Sequence, residues 1–305
     1  MGTTFSIKIP KLPKGIDADS LRAEIDAELD SVNATMSTYR ADSELSKLNR
    51  NRSTEWIGIS DRMAEVLAEA LRVSELSDGA YDVTVGPLVN LWGFGPEETQ
   101  QIVPDQSQIQ ARLKTCGFRK IHLNTDKHSI RKDEPEIYID LSSLAKGYGV
   151  DEVANLLTVR GVESYLVEIG GELRVQGAKA NGDAWKIAIE KPLVGQRSIE
   201  QIVQLYDIAV ATSGDYRNFF EDRGIRYSHT IDPRTGMPIV HTLASVTVMD
   251  RSTMRADALA TALMVLGPDA GRKLALDHHI AALFIERKGS GFATLATPAF
   301  PSAIE

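Results

Sequence analysis

Apolar residues recur along this chain with two distinct periods. Leu21, Ile25, Leu29, Val32 and Met36 follow one another at steps of four and three, which lays them on one face of a helix. Asp17 and Asp19 stand ahead of them as candidate caps. Met63, Leu67, Ala70 and Leu71 predict a second helix that opens at Ser60 and stops at Asp78-Gly79. Before both, Phe5, Ile7 and Ile9 alternate with Ser6 and Lys8, the period of a strand. A polar loop with Gly93, Gly95, Pro96 and Pro104 is expected after the second helix. Ile137-Tyr138-Ile139-Asp140-Leu141 reads as a strand feeding a helix from about Leu144 to near Gly161. The later half is richer in strands, at 165–169, 185–189, 202–205, 244–248 and 281–285. One more helix, about 255–266, is closed by Gly267-Pro268.

Helices and strands thus come in unequal runs rather than in regular alternation, which predicts an α+β fold over a doubly wound sheet. No internal repeat or low-complexity linker marks a domain boundary. Composition adds little: 305 residues, 43% hydrophobic and 25% charged, are the proportions of an ordinary globular protein, which excludes disordered and fibrous classes. The net charge of −8 without a basic run argues against nucleic acid as a partner. No apolar stretch reaches membrane-spanning length. Cys116 is the single cysteine, so neither an internal disulfide nor a cysteine zinc site can form. The opening Met1-Gly2-Thr3-Thr4-Phe5 runs straight into the first strand with no export signal ahead of it. That leaves open a cytosolic protein or one whose leader has been removed.

The familiar nucleotide and hydrolase motifs are missing. There is no P-loop, no G-x-S-x-G and no H-E-x-x-H, and Gly93-Phe94-Gly95 and Gly147-Tyr148-Gly149 both lack the third glycine of a dinucleotide turn. His278-His279 reads as a solvated surface pair. Asp257 and Thr261, four apart, project from one helix face, and a carboxylate with a hydroxyl makes half a site for a hard cation such as Mg²⁺. Spacing alone favours the plainer alternative, in which Asp257 serves the helix dipole and Thr261 bonds back to its own helix. The segment 140–149 joins strand to helix, where serines cap and backbone amides suit an anion. His229 precedes a Pro/Gly turn and is a candidate general base, or simply a hydrogen-bonded structural group. Tyr39 and Ala80-Tyr81-Asp82 bring aromatic rings to loops, for stacking or for packing.

Taken in order, these segments resemble the ApbE family of flavin transferases. The matching stretches are 1–5, Met36-Ser37-Thr38-Tyr39-Arg40, 78–84, 140–149, Glu168-Ile169-Gly170-Gly171, Thr212-Ser213-Gly214-Asp215-Tyr216-Arg217, 228–236 and 257–267. The resemblance implies one catalytic unit over 1–305, built of mixed, largely antiparallel sheets with flanking helices and a ligand cleft between two lobes. It implies Mg²⁺-dependent cleavage of FAD at its pyrophosphate. FMN would pass to a threonine hydroxyl of an acceptor protein as a phosphoester, with AMP leaving. Family acceptors are typically subunits of membrane redox complexes. Residues that fall where the family contacts FAD are Met1, Tyr39, Ala80, Tyr81, Asp82, Ser142, Tyr148 and Ile231. Ala145, through its carbonyl, falls at the metal site with Asp257 and Thr261. A second acidic residue often precedes the metal threonine; here Ala260 stands there, leaving the cation fewer charges. The resemblance also implies a periplasmic protein, anchored at the inner membrane through a leader this chain lacks. Its oligomeric state stays open. Two other readings share these residues: an FAD pyrophosphatase that uses water as acceptor, and a flavin carrier without chemistry.

Overall fold

The computed structural model describes residues 2–95, 101–193, 195–196, 198–216 and 218–303. Met1, Pro96 and Arg217 of the motifs above lie outside the described residues. The frame is a seven-stranded, wholly antiparallel sheet. Its strands in spatial order are Phe5–Lys8, Tyr165–Ile169, Glu172–Gln176, Ile208–Gly214, Leu243–Asp250, Ala281–Lys288 and Gly291–Ala296. Side chains alternate across it. Ala282 and Phe284 face the helices, with Leu259, Leu263, Val66 and Leu67. Leu283 and Ile285 face the other way, against Trp185 and Val203 of a hairpin formed by Trp185–Glu190 and Ile199–Leu205. The expected α+β architecture is the observed one.

The helices begin where the caps predict. Asp17 accepts from Ser20 N at 2.8 Å and opens Ala18–Met36. Ser60 accepts from Met63 N at 3.2 Å and opens Asp61–Leu76, whose exit turns through the left-handed Asp78 and Gly79 (φ 48° and 75°). Three expectations need correction. A short helix, Glu44–Arg50, follows the first. The expected polar loop after Gly79 contains two more, Gly86–Leu91 and Gln106–Leu113, the latter fixed by a capping box of Asp105 and Gln108. Residues 137–141 form no strand and pair with none among the described residues. The side chain of Asn49 holds both backbone groups of Ile139, each at 2.8 Å, and Asp140 N donates to Val83 O. One asparagine thereby does the work of a neighbouring strand.

The last helical run, Thr253–Asp277, breaks at Gly267 (φ 79°, ψ −175°) and Pro268, as the sequence predicts, but a further helix follows at once. The run also starts two residues earlier than expected: Ser252 is its N-cap, accepting from Arg255 N at 3.2 Å, and Asp151 of the helix Ser142–Val159 binds the first turn from outside. Asp151 accepts from Thr253 N, Met254 N, Thr253 Oγ1 and Ser252 Oγ at 2.8–3.0 Å, and pairs with Arg174 at 3.0 Å. These two helices meet backbone to backbone at Gly147. A Cβ there would stand 2.4 Å from Thr253 O and 2.7 Å from Met254 Cα. Gly147→Ala is therefore expected to lower the unfolding free energy by about 1–3 kcal/mol. If the contact were slack, the helix preference of alanine would instead raise it by up to about 1 kcal/mol. Urea denaturation distinguishes the two signs.

Candidate active site

One cleft of about 1310 Å³ gathers most of the residues singled out in the sequence. Tyr39, Ala80, Tyr81, Asp82, Ser142, His229, Ile231, Asp257 and Thr261 all line it. They come from loops, from a short strand at Ile231–Asp232, from the start of one helix and from the middle of another, separated by more than 200 positions in the chain. The volume exceeds the roughly 300–1,000 Å³ usual for small-molecule pockets, which suits a ligand of dinucleotide size.

The acidic corner rests on the two helices that Gly147 brings together. Asp257 is 3% exposed and accepts from Gly147 N at 3.2 Å. It is not a first-turn residue serving the dipole, since Asp151 already fills that place. Thr261, one turn on, shares a hydrogen bond with Ser213 Oγ at 3.1 Å instead of bonding back to its own helix. Both plainer alternatives are thus set aside by the geometry. Two further residues stand here that the spacing did not single out. Lys146 Nζ lies 3.3 Å from Asp257 Oδ2 and 3.4 Å from Glu172 Oε1. Burial raises the carboxyl of Asp257 against the pull of Lys146, and burial plus the charge of Asp257 raise that of Glu172. Burial opposes the charge of Lys146, but the two carboxylates outweigh it and hold the ammonium protonated. Among the described residues, no group of three or more His, Cys, Asp or Glu side chains converges as a ready metal cluster. A cation in this corner would therefore rely on the Asp257 carboxylate, the Thr261 hydroxyl and a backbone carbonyl. Such an all-oxygen set fits a hard ion.

Ser142 opens the helix Ser142–Val159, and Asp140 caps it, accepting from Ser142 N at 2.8 Å and Ser142 Oγ at 2.6 Å. The buried Tyr81 accepts from Ser143 Oγ at 2.9 Å. Asp82 borders the cleft, but both its oxygens are engaged: Oδ1 by Thr84, Oδ2 by Phe118 N at 2.7 Å. Its carboxylate holds the loop, so any contact with a ligand falls to the rest of the residue. Tyr148 departs from expectation. Two residues past Lys146 is roughly 200° around a helix, so its ring turns into the core. The groups facing its hydroxyl are Glu152, Glu65 and Arg62, not cleft residues. Ala145 is half-buried against the same core, beside Lys146.

His229 follows the hairpin of Phe219–Asp222 and Ile225–Ser228. Its Nδ1 lies 2.9 Å from the carbonyl oxygen of Asn218, and its backbone N–H donates to that oxygen at 3.1 Å. A carbonyl can only accept, so Nδ1 carries the proton and Nε2 keeps a lone pair. Burial lowers the imidazole below the usual 6.5, partly countered by the Asn218 bond, and keeps it neutral at neutral pH. Phe94 abuts the ring edge-on at 6.3 Å. A neutral, tautomer-fixed histidine in the cleft is chemically a base.

Comparison with known proteins agrees with this picture. Residues 1–284 match the ApbE family. An FAD:protein FMN transferase of Vibrio cholerae is 50% identical over 300 residues, 98% of this chain and 89% of that protein. One of Haemophilus influenzae is 46% identical over 312 residues, 100% of this chain and 90% of that protein. Among solved structures, the flavin transferase ApbE from Vibrio cholerae superposes with a TM-score of 0.92 at 48% identity, covering 98% of this chain and 95% of that one. The apo form of Pseudomonas stutzeri flavinyl transferase ApbE gives 0.90 at 43%, covering 98% and 92%.

Proposed function

The chain belongs to the ApbE family, and from that premise we propose that it moves FMN from FAD to a threonine hydroxyl of an acceptor protein, with Mg²⁺ bound, releasing AMP. The observation that carries the reading is the meeting, in one cleft, of a neutral His229 and a buried carboxylate–hydroxyl pair, Asp257 and Thr261. Asp257, Thr261 and the Ala145 carbonyl would hold the metal. Bound there, Mg²⁺ supplies charge neutralisation at the pyrophosphate as AMP departs.

The chain's own residues account for the remaining roles. Tyr39, Tyr81 and Ile231 offer apolar surface to the flavin nucleotide, and the hydroxyl-bearing Ser142 and Ser143 border the cleft at the start of their helix. The lone pair of His229 Nε2 takes the proton of the threonine hydroxyl. The hydroxyl oxygen bonds to the phosphorus on the flavin side, and the bond from that phosphorus to the bridging oxygen breaks, so AMP carries the bridging oxygen away. We carry over from the resemblance that the acceptor is a subunit of a membrane redox complex and that the reaction belongs to the periplasm, at the inner membrane.

Incubation with FAD, Mg²⁺ and a candidate acceptor tests the reading. A fluorescent acceptor band in a denaturing gel, with one AMP released per label, is the expected result. FMN and AMP without a labelled protein would make the enzyme a pyrophosphatase, and intact FAD would make it a carrier. FAD is also expected to bind more tightly than FMN, because the adenylate half adds contacts and the cation draws on both phosphates. Calorimetry that found FMN tighter would contradict this.

A further inference from the structure

We propose that Glu172 is a further carboxylate of the cation site and that Lys146 is the resident counter-ion which a divalent cation displaces from it; the inference rests on the cation reading above. Glu172 follows the tight turn Gly170-Gly171, whose φ values of 64° and 110° suit glycine, and it begins the strand Glu172–Gln176. That turn brings it to the cleft wall, 3% exposed, on an element separate from the helix of Asp257. Its Oε1 lies 3.4 Å from Lys146 Nζ, while its Oε2 is buried with no hydrogen-bond partner. The same ammonium stands 3.3 Å and 3.5 Å from the two oxygens of Asp257.

One ammonium therefore stands between two buried carboxyl groups, and one carboxyl oxygen is left over. An unpaired buried oxygen is costly unless something else binds it. A hard divalent ion with oxygen ligands would satisfy it and bring two positive charges where the ammonium brings one. The position also answers the gap at Ala260, which is fully buried in the helix and offers no ligand. Glu172 restores a second carboxylate from a different element. A purely structural ion pair tying the hairpin to the helix would match one carboxylate to the ammonium and strand no oxygen.

Manganese serves as a paramagnetic probe of the site. Mn²⁺ is titrated into the full, flavin-free chain, with and without ADP, and free Mn²⁺ is read by electron paramagnetic resonance. Glu172→Gln keeps the shape and is expected to weaken Mn²⁺ binding by about tenfold or more, while Glu172→Asp retains most of the affinity. Lys146→Met removes the competing charge and is expected to tighten binding. Thermal melts of each variant confirm folding. Equal Mn²⁺ affinity in wild type and Glu172→Gln, or no tightening in Lys146→Met, overturns the inference and leaves a structural pair. Absence of Mn²⁺ binding to the wild type, even with ADP, overturns the cation reading itself.

Discussion

Asp257→Asn is expected to fold normally and to lose FMN transfer by more than the roughly 10–100-fold that second-shell losses cause at metal sites. The fold survives because Asn is nearly isosteric with Asp and its amide oxygen can still accept from Gly147 N. Burial already disfavours the charge of Asp257, so the substitution relieves that penalty, and Lys146 keeps Glu172 as a partner. What disappears is the only full ligand charge among Ala145, Asp257 and Thr261. Rates in limiting Mg²⁺, beside near-UV circular dichroism as the check on folding, separate the two effects. Transfer at the parent rate under those conditions removes Asp257 from the metal site.

His229→Ala is expected to bind FAD almost normally and to transfer FMN about 10²–10⁴-fold more slowly, the usual worth of general-base help. The pH dependence follows from the direction of its shift. A base works unprotonated, and burial lowers the imidazole below 6.5, so the wild-type rate should hold through neutral pH and fall only on the acid side of 6.5. The variant should lack that acid limb. Loss of FAD affinity at an unchanged maximal rate would make His229 a binding residue. Catalysis would then rest on positioning and the cation.

Much of the frame was legible in the chain because it is decided locally. Caps such as Asp17 and Ser60, the four-and-three spacing of Leu21 to Met36, and the Gly267-Pro268 break each act within a few residues. The spacing of Asp257 and Thr261 was equally visible, but not its meaning. That depended on where the helix starts, which Ser252 as N-cap and Asp151, about a hundred positions away, fix together so that Asp257 falls beyond the first turn. The strand expected at 137–141 failed for a related reason. Alternation shows that a segment is extended, yet what pairs with its backbone here is a side chain, Asn49. Tyr148 belongs to the same motif as Lys146 yet packs in the core, because helical angle decides which side a residue faces. Glu172 and Lys146 carry ordinary charges in sequence, and only the folded hairpin makes them partners of Asp257.

The order of strands in the large sheet also bears on how the chain acquires its shape. Phe5 pairs with Ile169, and the central strand, Ile208–Gly214, is flanked by Glu172–Gln176 and Leu243–Asp250. At about 5–20 residues per second, the ribosome needs roughly 8–30 s after making Phe5 to supply its partner. Through that interval the early strand waits with an open edge, and the centre of the sheet does not yet exist. Such non-local pairing folds slowly and is exposed to aggregation on the way. A nascent chain of this topology is thus a natural client for holding chaperones, and shortening it from its C-terminal side past Leu243 would remove a neighbour of the central strand and not merely trim an edge.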